Sequence, residues 1–446
     1  MKALRIKKNG ILSSATIATG LALSYSGMAY AQEKPNFIII FTDDQGYNDL
    51  GCYGSETIKT PNIDRMAQEG LRMTTFYAQT VSGPSRGQLL SGRYPTRIGG
   101  GWLTNGEEVL IPEVLKTVGY KTAAIGKWDI SQRKFQPGLV PNDQGFDYYF
   151  GTLGANDGGK VTLWRNKDQL NTTTDMGSLT GMYTEEAIKF LRDNKEGPFL
   201  LYLAHTMPHV MIDASEKFRG KSKGGLYGDV IEEIDWNVGR LLEVVKELGL
   251  DKNTYIVYTA DNGPWAGIEE NIKKRHGGNI ASGSAKPLRS SKGSPYEGGF
   301  RVPCIFWAPG RIIPGTVKDG MMSTLDFLPT FAKLAGAKLP EGRVLDGYDQ
   351  TALLLKKNGK SMRKIFFYHV KGELHAVREG NWKLLIPDRE RAFPYTGDPK
   401  VTSPELYDLS NDISEKNNLA GKYPKIVEKL MELSKQAPVD MEAFTL

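Results

Sequence analysis

The sequence predicts an α/β fold: a large, mostly parallel sheet covered by helices on both faces, then a smaller C-terminal α+β subdomain. Three observations carry this expectation. Four short apolar runs stop abruptly at polar clusters. Amphipathic helical patterns alternate with them. After Leu345 the pattern changes to short strands closed by one helix.

Phe37–Phe41 runs into Thr42-Asp43-Asp44-Gln45-Gly46, and Thr122–Ile125 into Gly126-Lys127-Trp128-Asp129. Phe199–Leu203 ends at Ala204-His205, and Tyr255–Tyr258 at Thr259-Ala260-Asp261-Asn262-Gly263. Continuous apolar runs of this length are strands buried on both faces, as in a parallel sheet. Val230, Ile231, Ile234, Val238, Leu241, Leu242 and Val245 form one helical stripe, which Gly249 closes. Thr184–Asn194 and Leu325–Ala335 are further expected helices. In folds that alternate strand and helix, ligands bind beyond the carboxyl ends of the strands. Past Leu345, Ile365–Tyr368, Leu374–Arg378 and Trp382–Ile386 read as strands, and Ile426–Leu433 as an amphipathic helix.

The expected organisation is therefore an export signal at 1–31, a catalytic domain at 32–345 and a C-terminal subdomain at 346–446. The signal shows as Lys2, Arg5, Lys7 and Lys8, an apolar stretch Ile11–Leu23, and the small-x-small site Ala29-Tyr30-Ala31. That stretch is too short and too rich in Ser and Thr to span a bilayer. The chain carries 57 basic and 51 acidic residues, a net of +6. Cleavage removes four basic and no acidic residues, leaving 53 against 51 and a net of +2. A charge-driven nucleic-acid partner is thereby excluded. No later apolar stretch reaches the roughly 18 residues of a membrane span. An exported protein without stable membrane insertion is expected, in a Gram-negative periplasm or secreted. Export permits a disulfide between Cys52 and Cys304, though two buried free thiols are the preferred expectation, with no zinc or iron–sulfur site.

Asp43-Asp44 and Asp261-Asn262 supply three carboxylates and one amide oxygen. Such hard donors suit Ca²⁺ or Mg²⁺. Either pair alone reads more simply as a cap or turn. Two pairs, each ending a buried strand, shift the reading to a metal. Ser82-Gly83-Pro84-Ser85-Arg86 continues to Leu90-Ser91-Gly92-Arg93. Its local reading is a Pro-started helix capped by Ser82.

At this string the chain resembles the formylglycine-dependent type I sulfatases of the alkaline phosphatase superfamily. Their modification signal is Cys or Ser, any residue, Pro, Ser, Arg, with a Thr-Gly-Arg-like string downstream, which Ser91-Gly92-Arg93 fits. The resemblance runs through Pro35–Gly46, Thr60-Pro61-Asn62-Ile63-Asp64, Asp261-Asn262-Gly263, Lys292–Pro303, and Glu405–Leu409 to Asn418-Leu419-Ala420. It implies an alkaline phosphatase-like fold, with a large mixed, mostly parallel sheet and a short antiparallel sheet in the C-terminal subdomain.

The resemblance also implies roles. Ser82 becomes formylglycine through a sulfatase-maturing enzyme, and joins Asp43, Asp44, Asp261 and Asn262 on Ca²⁺, with Mg²⁺ as an alternative. Arg86 steadies the modified side chain. Lys127 and Lys292 hold the sulfate oxygens, and His205 donates a proton to the leaving oxygen. The substrate implied is a sulfated carbohydrate. The family commonly reads Gly-Lys-Trp-His where this chain has Gly126-Lys127-Trp128-Asp129. Asp129 then serves as a base, joins the metal shell, or marks another arrangement.

Other residues stay open. His209 is either a substrate contact or an ordinary loop histidine. Arg275 and His276 form a solvated basic loop or an anionic-substrate subsite. Trp102, Trp164 and Trp265 lie in expected loops at the site's edge. His369 and His375 lie in a subdomain that in this family sometimes reaches the pocket. Two rival activities remain: a phosphomonoester or phosphonate hydrolase of the same superfamily, or a non-catalytic sulfated-glycan binder. The second follows if Ser82 is unmodified, as in a Cys-to-Ser trapping variant.

Overall fold

All seven residues of the strand Asn36–Thr42 are buried, and this strand organises the molecule. The computed structural model describes residues 34–103, 106–266, 282–394 and 396–438. In chain order the strands are β1 (Asn36–Thr42), β2 (Leu71–Met73), β3 (Phe76–Tyr77), β4 (Lys121–Lys127), β5 (Tyr148–Thr152), β6 (Val161–Arg165), β7 (Asp168–Thr173) and β8 (Phe199–Ala204). They continue with β9 (Thr254–Ala260), β10 (Cys304–Trp307), β11 (Thr316–Lys318), β12 (Met322–Ser323), β13 (Ile365–Val370), β14 (Glu373–Glu379), β15 (Trp382–Leu385) and β16 (Glu405–Asp408).

The main sheet has ten strands in the order β11-β2-β10-β9-β1-β8-β4-β5-β6-β7. Its centre, β9-β1-β8-β4-β5, is parallel. β10, β6 and β7 run antiparallel to their neighbours, so the sheet is mixed. The parallel centre brings the carboxyl ends of β1, β4, β8 and β9 to one edge.

Side chains of β1 alternate between two cores. Phe37, Ile39 and Phe41 pack in one layer with Val114 and Phe331. Ile38 and Ile40 pack in the other with Ile63, Leu179 and Ile234. Burying each such side chain is worth about 1.5–3 kcal/mol, so β1 alone contributes on the order of 10 kcal/mol before chain entropy.

The helices on these faces include α1 (Pro61–Glu69), α2 (Ser82–Ser91), α3 (Ile111–Lys116), α4 (Leu179–Asp193) and α5 (Gly225–Glu247). The whole stripe from Val230 to Val245 is buried in α5. α4 starts five residues before the expected Thr184, because Leu179 and Tyr183 extend its buried face. The expected Leu325–Ala335 helix is preceded by a tight turn, Thr324–Asp326, and runs regularly over Phe327–Ala335. Ser323 and Asp326 cap that turn reciprocally, with Ser323 Oγ accepting from Leu325 N at 3.3 Å and Asp326 Oδ2 from Ser323 N at 3.0 Å.

β13–β16 form a separate antiparallel sheet. It packs through Phe366 on Tyr77 (4.7 Å between rings) and through Tyr368 on Phe300 (4.9 Å). Residues from both sides of position 345 share this core. Cys52 is half-buried, Cys304 is buried, and both are free thiols. No helix among the described residues is long and apolar enough to cross a membrane. The expected export signal lies outside the described residues.

Candidate active site

Each central strand delivers polar residues where its apolar run stops. Asp43 and Asp44 follow β1, Asp261 and Asn262 follow β9, and Lys127 is the last residue of β4. Backbone bonds knit these ends together: Asp261 N donates to Thr42 O at 3.0 Å, and Asp43 N to Met207 O at 3.2 Å. Asp44 and Asp129 adopt left-handed backbone conformations, with φ of 63° and 62°. Non-glycine residues held there store strain that the surrounding structure must over-determine.

Ser82 does not cap α2. The capping position is Val81, and Ser82 is the first helical residue. Its Oγ donates to Asp261 Oδ2 at 2.6 Å and accepts from Arg86 Nε at 2.9 Å. Arg86, one turn along and fully buried, also donates to Asp261 Oδ2 (3.0 Å) and to Lys127 O (3.1 Å). Tyr202 approaches it at 3.4 Å. Ser85 donates to Asp261 O and accepts from Gln79 N at 2.9 Å. The helix start is therefore pinned to the end of β9.

Four fixed cations meet five carboxylates. Lys127 Nζ lies 2.6 Å from Asp43 and 3.2 Å from Asp129. Lys292 Nζ lies 2.7 Å from Asp44 Oδ1, beneath the Trp265 ring at 4.6 Å. Arg86 is 3.5 Å from Asp43. Arg133 bridges Asp129 Oδ1 (2.8 Å) and Asp157 Oδ2 (2.6 Å). Burial would raise the Asp43 carboxyl, but Lys127, His209, Arg86 and Lys292 hold it well below the usual range. Burial and then the neighbouring Asp43 push Asp261 the other way, up to about 7, against the pull of Arg86. Two buried carboxylates pulled apart in this way repel each other.

Asp43 Oδ1 and Asn262 Oδ1 are buried with no hydrogen-bond partner. Ligand atoms of Asp43, Asp44 and His209 lie within 4.8 Å of one another. Orphaned hard oxygens among buried carboxylates fit a Ca²⁺ or Mg²⁺ ion.

The two histidines after β8 separate. His209 lines the cavity above Ser82. Its Nε2 is 3.2 Å from Asp157 Oδ1 and 3.6 Å from Asp44 Oδ2. Its Nδ1 contacts Val210 O at 2.5 Å, which leaves Nε2 to face the two carboxylates. His205 does not join the cavity lining. It is buried, 6.5 Å from the Tyr183 ring, with Nδ1 unpartnered, and burial pushes it down to about 4.

The cavity measures about 440 Å³ and is lined by Ser82, Trp102, His209, Trp265, Lys292 and His369 among others. Trp102 lies directly over Gly83, where a Cβ would come within 3.1 Å of its ring. Trp164 is elsewhere, in β6, stacked on Phe135 at 5.3 Å. His375 is also absent from this lining. Arg275 and His276 lie outside the described residues. Sequence reading missed Arg133, Asp157 and Tyr202. Only the glycine-rich stretch around Asp157 offered a signal.

The model of the family described as Sulfatase matches residues 35–337. A second, described as N-sulphoglucosamine sulphohydrolase, C-terminal, matches residues 291–438. The chain is 35% identical over 404 residues to mouse N-acetylgalactosamine-6-sulfatase, covering 82% of this chain and 75% of that one. It is 35% identical over 469 residues to human Arylsulfatase A, covering 93% and 89%. Among solved structures it is similar to the PsFucS1 sulfatase from Pseudoalteromonas sp., with a TM-score of 0.80, 28% identity, and coverage of 90% and 89%. The family models together span nearly all the described residues, and the relatives match over most of their own length. The chain belongs to the sulfatase family, a family of sulfuric ester hydrolases.

Proposed function

We propose that this protein is exported and hydrolyses O-sulfate esters on a carbohydrate, using Ser82 as formylglycine and calcium at Asp43, Asp44, Asp261 and Asn262. The carrying observation is Ser82 Oγ, held between Arg86 and Asp261 at the floor of a cavity edged by Lys292 and His209. Magnesium meets the same donors. A bound divalent ion supplies positive charge against sulfate oxygens and lowers the pKa of an adjacent hydroxyl. Formylglycine, when hydrated, supplies a hydroxyl nucleophile and a second hydroxyl for release of sulfate.

The chain's own residues do the rest. With Asp261 ionised, acids outnumber fixed cations by one around Ser82, so a divalent ion leaves one net positive charge to receive an anion. Lys127 and Lys292 are preorganised ammonium groups for sulfate oxygens. Arg86 orients the side chain at position 82. His209, placed in the cavity, is the better candidate than His205 for giving a proton to the leaving oxygen. Asp129 holds Lys127 in place through the contact at 3.2 Å. Trp102 and Trp265 offer faces for a sugar ring and exclude water. A sugar sulfate is also the substrate named for the mouse relative.

Export through the 1–31 signal, to a periplasm or the medium, and maturation of Ser82 by a sulfatase-maturing enzyme complete the proposal. Sulfate release by protein from its own host, with Ser82→Ala as control, tests it. Peptide mass spectrometry should find Ser82 lighter by two hydrogens. Equal sulfate release by both proteins would refute the nucleophile. Preferred turnover of phosphate esters would refute the activity.

A further inference from the structure

His369 is buried at 4% exposure, yet it lines the cavity. Neither of its ring nitrogens has a well-aligned hydrogen bond, and among the described residues the Phe367 backbone is the one polar group within its reach. A buried imidazole with an unpaired ring nitrogen costs free energy unless something arrives to pair with it. Its placement is built rather than incidental. The register of β13 against β14 shifts between Tyr368 and His369. Bulges of this kind re-aim a side chain, and they cluster beside active sites. Tyr368 turns inward onto Phe300, while His369 packs edge-on against Tyr94 at 5.5 Å. Burial, then His375, push the imidazole down to about 3 against the Phe367 backbone carbonyl, which favours the protonated form, so the ring is neutral. A neutral imidazole offers one donor and one acceptor.

We propose that His369 determines specificity at this site by hydrogen-bonding a hydroxyl or acetamide group of the sugar that carries the sulfate. The inference rests on the sulfatase reading above and names the kind of leaving group that reading takes. A flat apolar leaving group has nothing to pair with the imidazole and buries it unsatisfied. A saccharide satisfies it. Sites built to hydrogen-bond a substrate discriminate strongly against analogues lacking the group, because their own polar atoms are then left unpaired.

The test compares galactose 6-sulfate and N-acetylgalactosamine 6-sulfate with phenyl sulfate, on wild type, His369→Leu and His369→Gln. Both kcat/KM of matured protein and Kd by calorimetry, with calcium present, are measured. His369→Leu should lose about 10- to 100-fold on the better saccharide, chiefly in KM, and change less than about twofold on the aryl ester. His369→Gln, which keeps a donor and an acceptor, should recover part of the loss. Equal losses on both ester types would reduce His369 to a structural role and overturn the proposal. So would no loss at all, or a wild type with no preference for either saccharide. Failure of sulfate release would sink the sulfatase reading instead, and the Kd ratios would still decide His369.

Discussion

Replacing Glu297 by Gln tests how the small sheet is fastened to the large one. Glu297 is fully buried. Its carboxylate accepts from Tyr77 OH at 2.6 Å, Tyr368 OH at 2.8 Å, Lys383 Nζ at 3.1 Å and Arg301 NH1 at 3.3 Å, with Arg378 at 3.9 Å. Burial would raise this carboxyl, but Lys383, Arg301 and Arg378 bring it down to about 2. Gln keeps the shape and an acceptor for one of the two tyrosines, which donate to different oxygens, but removes the charge. Breaking a buried pair typically costs about 3–5 kcal/mol. Lys383 retains Glu415 at 2.8 Å, so the lower figure applies. Unfolding entropy near 2.1 cal/mol/K per residue scales to about 0.9 kcal/mol/K here, so Tm should fall about 3–4 °C. Because the folded pKa is depressed from 4.5, the stabilisation is complete above that pH and is lost as pH falls toward 2. Scanning calorimetry at pH 7.5 and pH 4 should show a gap that narrows with acid. A fall below about 1 °C at pH 7.5 would refute the idea that three buried cations depend on this carboxylate.

Other expectations follow from the same geometry. Burial, and then Glu297, hold the Glu415 carboxyl up to about 7, against the pull of Lys383. Its folded pKa is raised, so its contribution is favourable below 4.5 and is lost as pH rises through 7. Glu415→Gln should therefore gain Tm relative to wild type between pH 5 and pH 8, and an unchanged difference would contradict this. His209→Asn should lower kcat about 10²- to 10⁴-fold on a sugar sulfate and less on an aryl sulfate, whose leaving group needs no proton. His205→Asn should leave kcat within a few-fold, and the reverse ranking would restore His205 as the acid. Chelation should abolish sulfate release, and calcium at about 100 times its Kd should raise stability by about 2.7 kcal/mol, read as a Tm rise of about 3 °C. A Tm indifferent to calcium would count against the metal.

Much of the site was legible because an apolar run is itself a statement about burial. Phe37–Phe41 and Tyr255–Tyr258 have no polar face, so both faces must be covered, and their strands belong in the interior of a sheet. Whatever follows such strands lies at the sheet edge where α/β folds bind ligands, which is where Asp43, Asp44, Lys127, Asp261 and Asn262 are found. The same logic could not choose between His205 and His209. Both follow β8 within five positions, and which ring turns into the cavity depends on how that loop packs under Trp265.

The sequence by itself determined the strand and helix periods, the polar strand ends and the family. Those features are local, written in residues a few positions apart. Only the tertiary structure decided which groups meet. Ser82 and Asp261 are 179 positions apart, and Lys127 and Asp43 are 84 apart. Arg133 reaches Asp157 across two loops, and His369 arrives in the cavity from the small sheet by way of a bulge. Those pairings depend on strand order and on packing between layers, which no short stretch of sequence encodes.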